Sequence, residues 1–545
     1  MEIKFSEIPE DTKLAQEYLQ KNEEWTELLN NFNETVKKYS PYIYDGKAFD
    51  KNSSSYRFDG KQYDKVGSKD ETPYKSDENA LRNLASSLKQ NASLIAQLEY
   101  KVRNKPIADT NEQLNLLVQN LKSRSPAVIY NKDLSSHVRF LSNDPLLVFG
   151  CVVDMICHSG YSNTLISECK ETAPLCQLFV KLCYEAGFKD IIVVFGGHLF
   201  SEVPEYWSRK REIRGLDSGT LAVVAEDADV DSAVDKFLAT SKEAPWRLRK
   251  ILVQESVYKN FKDALRWKCN LHKSGSEPPQ SSVLCSESLS YGGRMFLIDP
   301  VVPTEEQPGV VPVEAYRTAK EMISLVQQDR TRYLSLWANG VAEVNEVTHA
   351  TRAPVLWVNS IADFRGPPQV SEAVYSHIFD QELSVKKDAQ IAKLINLSQS
   401  WSKLDLNSRR DVLNGVLDIV IEKYDPTSFT KDVKYALTDC TMKSFFDVGQ
   451  DYVCMGISQA VGILGVYFEG NAITLENMKS LLRGNALILY DRRANNVSLE
   501  EFENAGVPYI YVGKHEEGDF KVIRSSLSDT RTRVVWSNMG TIFAN

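Results

Sequence analysis

A chain of 545 residues with 43% hydrophobic content has the length of about three or four domain-sized units and the apolar share of globular cores. Its net charge of −9, with Lys and Arg dispersed rather than blocked, leaves no basic footprint for nucleic acid or an anionic membrane, and no apolar run approaches spanning length. Met1-Glu-Ile-Lys-Phe-Ser6 leads into a charged stretch with no apolar core, so no secretory leader and a cytoplasmic protein are expected; nine cysteines without a short framework suit a reducing compartment.

Leu14 to Tyr39 has the pattern of a polar amphipathic helix broken by Pro41. Tyr42 to Phe49 and Tyr56 to Tyr63 alternate around Asp45-Gly46 and Asp59-Gly60, a hairpin signal because Gly takes positive φ at no steric cost. Asp77 to Leu98 and Thr110 to Leu121 are helical by period. From Pro145 the order becomes apolar strand (Leu146 to Val153), strand (Asn163 to Ile166), helix (Thr172 to Ala186) and strand (Ile191 to Gly197), and such alternation predicts a parallel sheet. Cys169, Cys176 and Cys183 recur every seven residues, too far apart for a usual zinc pair, and the neighbours Cys157-His158 do not face each other in regular structure. No metal site is expected.

Past Gln381 the pattern restarts. Trp401-Ser-Lys-Leu404 precedes a helix whose Val412, Leu413, Val416, Leu417, Val420 and Ile421 share one face. Ile463 to Phe468, Arg483 to Leu489 and Ala505 to Gly513 then repeat, in order, the elements around Phe149-Gly150, Asn163 to Ile166, and Ala186 to Gly196, which marks an internal duplication. The second copy holds only the front half of the pattern, so its sheet is expected to lack cover on one edge and one face and to depend on the first unit or another subunit. Thr530-Arg-Thr-Arg-Val-Val-Trp536 interleaves Arg with Thr and Val as a pairing strand would.

Asp227-Ala-Asp-Val-Asp-Ser-Ala-Val234 through Lys250-Ile-Leu-Val-Gln-Glu-Ser-Val257 resembles the catalytic stretch of the aldehyde dehydrogenase superfamily. The likeness extends to Asn163-Thr-Leu-Ile-Ser-Glu-Cys-Lys-Glu-Thr-Ala-Pro-Leu175, to Tyr291 to Val301 as a strand, to Tyr316-Arg-Thr-Ala-Lys-Glu-Met322 as a helix and to Val355-Leu-Trp-Val-Asn359 as a strand. A complete unit followed by a partial one, with the tail Thr530 to Gly540, is similar to the family-16 aldehyde dehydrogenases, as a divergent, shortened member. The resemblance implies an α/β fold with a reduced Rossmann-like half, divided as 1–380 (a cofactor-type half, 1–214, and a catalytic-type half, 215–380) and a partial second unit, 381–545.

The same resemblance shows where chemistry is missing. The position of the nucleophilic Cys falls on Pro245, and without a thiolate no thiohemiacetal forms. The general-base Glu falls on Gly215, which accepts no proton, and the Lys that holds the cofactor's adenosine ribose falls on Glu168. Glu305 stands where a Glu binds the nicotinamide ribose, but Gln307-Pro308-Gly309 replaces the Phe-Gly-Pro that should follow. Only Asp154 to Ser162 is left for the segment with the oxyanion-donating Asn, only His198 to Arg214 for the strand, Gly-rich turn and helix that cradle the dinucleotide, and a relic Asn471 aligns with the oxyanion Asn in the second copy. The expectation is a non-catalytic protein of oligomeric habit, without cofactor, that works through a protein partner or self-association; the alternative is NAD(P)-dependent oxidation of aldehydes to carboxylic acids.

Overall fold

The computed structural model describes residues 56–58, 63–65, 78–103, 105–123, 135–140, 146, 149–150, 163–167, 173–188, 191–195, 208–213, 219–242, 244–271, 283–301, 309–329, 331–367, 369–376, 389–423, 428–438, 444–460, 462–468, 473–491, 499–512 and 530–539. The chain divides into two compact units: residues 1–379 with the later segments 447–454 and 534–545, and residues 380–446 with 455–533. The predicted helix at Leu14 to Tyr39 and strand at Tyr42 to Phe49 lie outside the described residues.

The first described elements of the first unit are the antiparallel strands β1 (Tyr56–Phe58) and β2 (Tyr63–Lys65), with Asp59-Gly60 between them in the sequence. Helices α1 (Glu78–Gln90), α2 (Ala92–Arg103) and α3 (Ile107–Ser123) follow, the long helix read from Asp77 being broken at Asn91. Four strands then run parallel: β3 (Ser135–Phe140), β4 (Asn163–Ser167), β5 (Ile191–Phe195) and β6 (Ser208–Ile213), with α4 (Ala173–Ala186) between β4 and β5. Their sheet has the order β2-β1-β5-β4-β3-β6. On α4, Leu175, Cys176, Phe179, Leu182 and Cys183 are buried at helical spacing, so these two thiols are core residues.

Two expectations are corrected here. Leu146 to Val153 does not form the first strand: Leu146, Phe149 and Gly150 are helical, and the strand is β3, which begins eleven residues earlier. An apolar run has no period that separates a buried strand from a buried helix, and Asp144-Pro145 ahead of it has the residue types of a helix start. Phe149 stacks on Phe179 at 3.8 Å, and at Gly150 a Cβ would fall 2.1 Å from the Tyr375 ring, which requires glycine. Between β3 and β4 the chain has residues 141–162, of which Asp154 to Ser162 lie outside the described residues. His198 to Arg214 keeps a strand, β6, paired with β3 from Ser135↔Ser208 to Phe140↔Ile213.

The second sheet of this unit is built from β7 (Thr220–Val224), α5 (Val230–Ala239), β8 (Leu248–Gln254), α6 (Glu255–Leu271), β9 (Glu287–Tyr291), β10 (Arg294–Ile298), β11 (Val310–Tyr316), α7 (Ala319–Asp329), β12 (Tyr333–Trp337), α8 (Val341–Ala350), β13 (Val355–Val358) and α9 (Gln369–Ser376). Three late strands complete this sheet, β14 (Ser444–Val448), β15 (Tyr452–Ala460) and β19 (Thr530–Asn538), of which residues 444–446, 455–460 and 530–533 are counted with the other unit. The order is β14-β15-β19-β13-β12-β7-β8-β11-β10-β9. Tyr291 to Val301 is a tight turn at Gly292-Gly293, with φ of 55° and 73°, followed by β10, rather than one strand. Asp229 caps α5, its carboxylate accepting from the Ser232 backbone N–H at 3.0 Å. Val224, Phe237, Ile251, Val253, Phe261, Phe296 and Trp337 make the core between sheet and helices.

The other unit has its own core. Strands β16 (Ile463–Phe468), β17 (Ala486–Asp491) and β18 (Tyr509–Val512) are parallel and consecutive, with α13 (Leu475–Leu482) and α14 (Glu500–Asn504) in the crossovers. This repeats the β3-β4-β5 order, so β16 corresponds to β3 and not to the Leu146 segment. Leu413, Val416, Leu417 and Val420 of α11 (Leu406–Lys423), with α12 (Ser428–Thr438) and α13, cover one face through Leu464, Leu487 and Tyr509. Leu394 of α10 (Ala389–Lys403) packs on Ala486, Ile488 and Ile510, which alternate onto the other face. On this face the cover expected from the first unit or another subunit comes instead from α10, which begins before the recognised Trp401 repeat.

Candidate functional site

The amino ends of β7 and β8 are where the resemblance places base and nucleophile. These strands are parallel neighbours, beginning at Thr220↔Leu248. Pro245 is buried in the turn Ala244-Pro245-Trp246 that leads into β8, and Thr220 ties this turn to β7: its backbone N–H donates to the Arg247 carbonyl at 2.7 Å and its hydroxyl to the Trp246 carbonyl at 2.7 Å. Gly215, five positions before Thr220, lies outside the described residues, as do Glu168, Glu305, Asn471 and Cys157-His158. The fold therefore brings the turn of Pro245 and the start of β7 together.

What surrounds Pro245 is packing. Trp246 is fully buried and meets the Phe364 ring edge-on at 4.5 Å, and Phe364 in turn meets Trp357 at 5.5 Å. Pro245 itself supplies neither a donor nor a nucleophile. Among the described cysteines, burial pushes Cys269 up to about 11 and Cys454 up to about 12, the reverse of an activated thiol. Among the described residues no group of three His, Cys, Asp or Glu is placed to hold a metal ion, and no helix is long and apolar enough to cross a membrane.

One titratable cluster borders the turn, and sequence reading missed it. Asp109 of α3 accepts from the Ser241 hydroxyl at 2.6 Å, and that hydroxyl accepts from the Ala244 backbone N–H at 3.1 Å. One helical turn on, Glu112 is half-buried beside Trp246. Burial, then the neighbouring Asp109, push its carboxyl up to about 7, and Asp363 adds to this. The Trp246 indole N–H faces it outside good hydrogen-bond geometry and offsets burial only in part. In the chain, Glu112 has the spacing of an ordinary solvated helix position; only its packing against the turn separates it from the other glutamates.

The sign of this effect follows from linkage. A carboxyl whose folded pKa lies above its unfolded value binds more protons when folded, so stability is full below about pH 4.5, falls as pH rises towards about 7, and is flat above. Discounted for partial exposure, the loss is on the order of 2 kcal/mol. Glu112→Gln is expected to remove this slope and to leave the protein more stable than wild type at pH 8 but not at pH 4. Urea unfolding at the two pH values checks it, and equal wild-type and variant slopes would refute the assignment.

No protein-family model matches the chain, and no curated protein matches it in sequence. Among solved structures, Proline Utilization A from Corynebacterium freiburgense is similar over 85% of this chain and 57% of its own, at 10% identity and a TM-score of 0.51. The match thus spans little more than half of that protein, and at this identity the likeness is one of fold. Betaine aldehyde dehydrogenase from Staphylococcus aureus, in complex with NAD+, is similar over 52% of this chain and 74% of its own, at 14% identity and a TM-score of 0.42. A putative aldehyde dehydrogenase from Burkholderia cenocepacia covers 52% of this chain and 78% of its own, at 14% identity and a TM-score of 0.40.

Proposed function

We propose that this α/β chain, whose fold is similar to that of Proline Utilization A over most of its length, is a non-catalytic relative of the aldehyde dehydrogenases, nearest the family-16 pattern, and acts through association with a protein partner or with itself. The carrying observation is Pro245, buried in the turn before β8 with Trp246 packed under Phe364, in the place where a thiolate would be needed. No cofactor belongs to this reading, and a cytoplasmic setting is part of the same proposal.

A second reading has an observation in its favour. In the first sheet β4 and β5 lie on one side of β3 and β6 on the other, so the strand order reverses between β3 and β6. In open parallel sheets the crevice at such a reversal is where dinucleotides bind. NAD(P)-dependent aldehyde oxidation is therefore the alternative. The two part on cofactor binding, since a ligand at about a hundred times its dissociation constant adds about 2.7 kcal/mol of stability. The non-catalytic reading expects no change in melting temperature with millimolar NAD or NADP; a clear rise would favour the dehydrogenase.

A further inference from the structure

Helix α3 meets the Pro245 turn through two carboxylates one helical turn apart. Asp109 is satisfied there: it accepts from the Ser241 hydroxyl, which accepts from the Ala244 backbone N–H, so a chain of two bonds hooks the helix to the turn. Glu112 instead sits half-buried beside Trp246, whose indole N–H is fully buried and has no hydrogen-bond partner among the described residues. The charged groups that act on Glu112 are both negative, Asp109 from its own helix and Asp363 from the loop after β13, while the turn contributes only the neutral indole. The cations next to these carboxylates are held elsewhere. Arg365 donates to Asp363 at 2.7 Å and to Asp451 at 2.8 Å, and Arg294, near Asp109, donates to the Phe237 carbonyl at 2.9 Å and to the Leu238 carbonyl. Asp363 is also fixed in place, because its own carbonyl accepts from the Trp357 indole N–H at 2.8 Å.

We propose that this contact is a proton-operated latch: with Glu112 neutral, α3 closes on the Pro245 turn, and loss of that proton to solvent loosens the helix from the turn. Among the described residues no three carboxylates are placed to hold a metal ion, so a proton is what relieves their crowding. An ionised Glu112 would accept more strongly from Trp246, but burial and two like charges outweigh one N–H, and the carboxyl is pushed up to about 7. Closing therefore takes up a proton near neutral pH. Asp109 and Glu112 share one edge of α3, so a helix that draws away from Trp246 also draws Asp109 from Ser241 and releases the Ala244 N–H. The stability slope of Glu112 concerns the whole unit, whereas the latch is a local opening within it.

Hydrogen exchange of the full chain, corrected for the pH dependence of intrinsic exchange, reads that opening directly. With Glu112 at about 7 when closed and at its ordinary 4.5 when open, the opening equilibrium of residues 107–118 and 241–247 is expected to rise about tenfold from pH 6 to pH 8, while β8 and β11 stay unchanged. Glu112→Gln is expected to stay closed at both pH values. Asp109→Asn, whose amide oxygen still accepts from Ser241, is expected to shrink the rise by removing one repelling charge. Wild-type opening that is equal at the two pH values overturns the latch, and so does a rise that persists in Glu112→Gln. A rise of the same size in β8 and β11 overturns it too, since it would belong to the stability of the whole unit.

Discussion

Trp536→Ala is expected to cost the first unit about 3–5 kcal/mol, and deletion of residues 528–545 to abolish its cooperative unfolding. β19 is an inner strand, between β13 and β15, and Val534, Val535 and Trp536 are buried in it. It runs parallel to β13 from Val355↔Val534 to Val358↔Ser537, so its loss leaves β13 as a raw edge and separates β14 and β15 from the rest of the sheet. Trp536 adds a polar lock. Its ring stacks on Tyr452 at 5.4 Å, its indole N–H donates to the Arg365 carbonyl at 3.0 Å, and the Arg365 guanidinium stands 5.5 Å from both ring centres. That guanidinium also donates to Asp363 and, at 2.8 and 3.0 Å, to Asp451, so one side chain joins the segment after β13, the β14–β15 turn and β19. Trp536→Phe keeps most of the buried area and loses the N–H bond, and is expected to cost about 1 kcal/mol beyond the area it gives up. Urea unfolding of wild type and both variants checks the ranking; a Trp536→Ala cost below that of Trp536→Phe would contradict it.

Arg409→Ala is expected to destabilise the unit of residues 380–446 and 455–533 by about 2–4 kcal/mol. Its guanidinium bridges two helix ends, donating to the Trp401 and Leu404 carbonyls around the end of α10 at 3.2 and 2.7 Å and to the Leu482 carbonyl ending α13 at 3.1 Å. The Trp401 carbonyl also accepts from the Leu404 backbone N–H at 3.2 Å, in the last turn of α10, and the negative ends of both helix dipoles favour a cation at this joint. Burial pulls Arg409 below its ordinary value and Asp405 opposes this, but arginine stays charged. Trp401 closes the same joint by donating its indole N–H to the Leu481 carbonyl at 2.8 Å. Gly484, at φ 103°, carries the chain past this point, and a Cβ on it would fall 2.8 Å from Arg409, so Gly484→Ala should harm the same joint. Arg409→Lys is expected to recover less than half of the loss, because a single ammonium cannot span carbonyls that a planar fork reaches together. Calorimetry of the wild type, Arg409→Ala and Arg409→Lys checks this, and a Lys variant equal to wild type would count against the bridging account.

Local pattern by itself determined much of this protein: the helix α4, the strands β4, β5 and β13, and the parallel α/β alternation. Each rests on residues close in sequence, whose spacing sets which face is apolar or which turn can form. Packing alone decided the rest. The apolar run at Leu146 fits either conformation, and its described residues Leu146, Phe149 and Gly150 are helical, with Phe149 on Phe179 and Gly150 against Tyr375; β6, Ser-Arg-Lys-Arg-Glu-Ile, is a strand through backbone pairing with β3 and has no apolar alternation to announce it. Thr530 to Trp536 reads as a strand, but that it lies beside β13 as an inner strand depends on partners far away in the chain. Glu112 is one of many helical glutamates until α3 lays it against Trp246 and Asp363. Sequence spacing encodes what neighbours along the chain impose on one another, whereas dielectric environment, sheet position and the cover of a face are set by groups that meet only after the chain has folded.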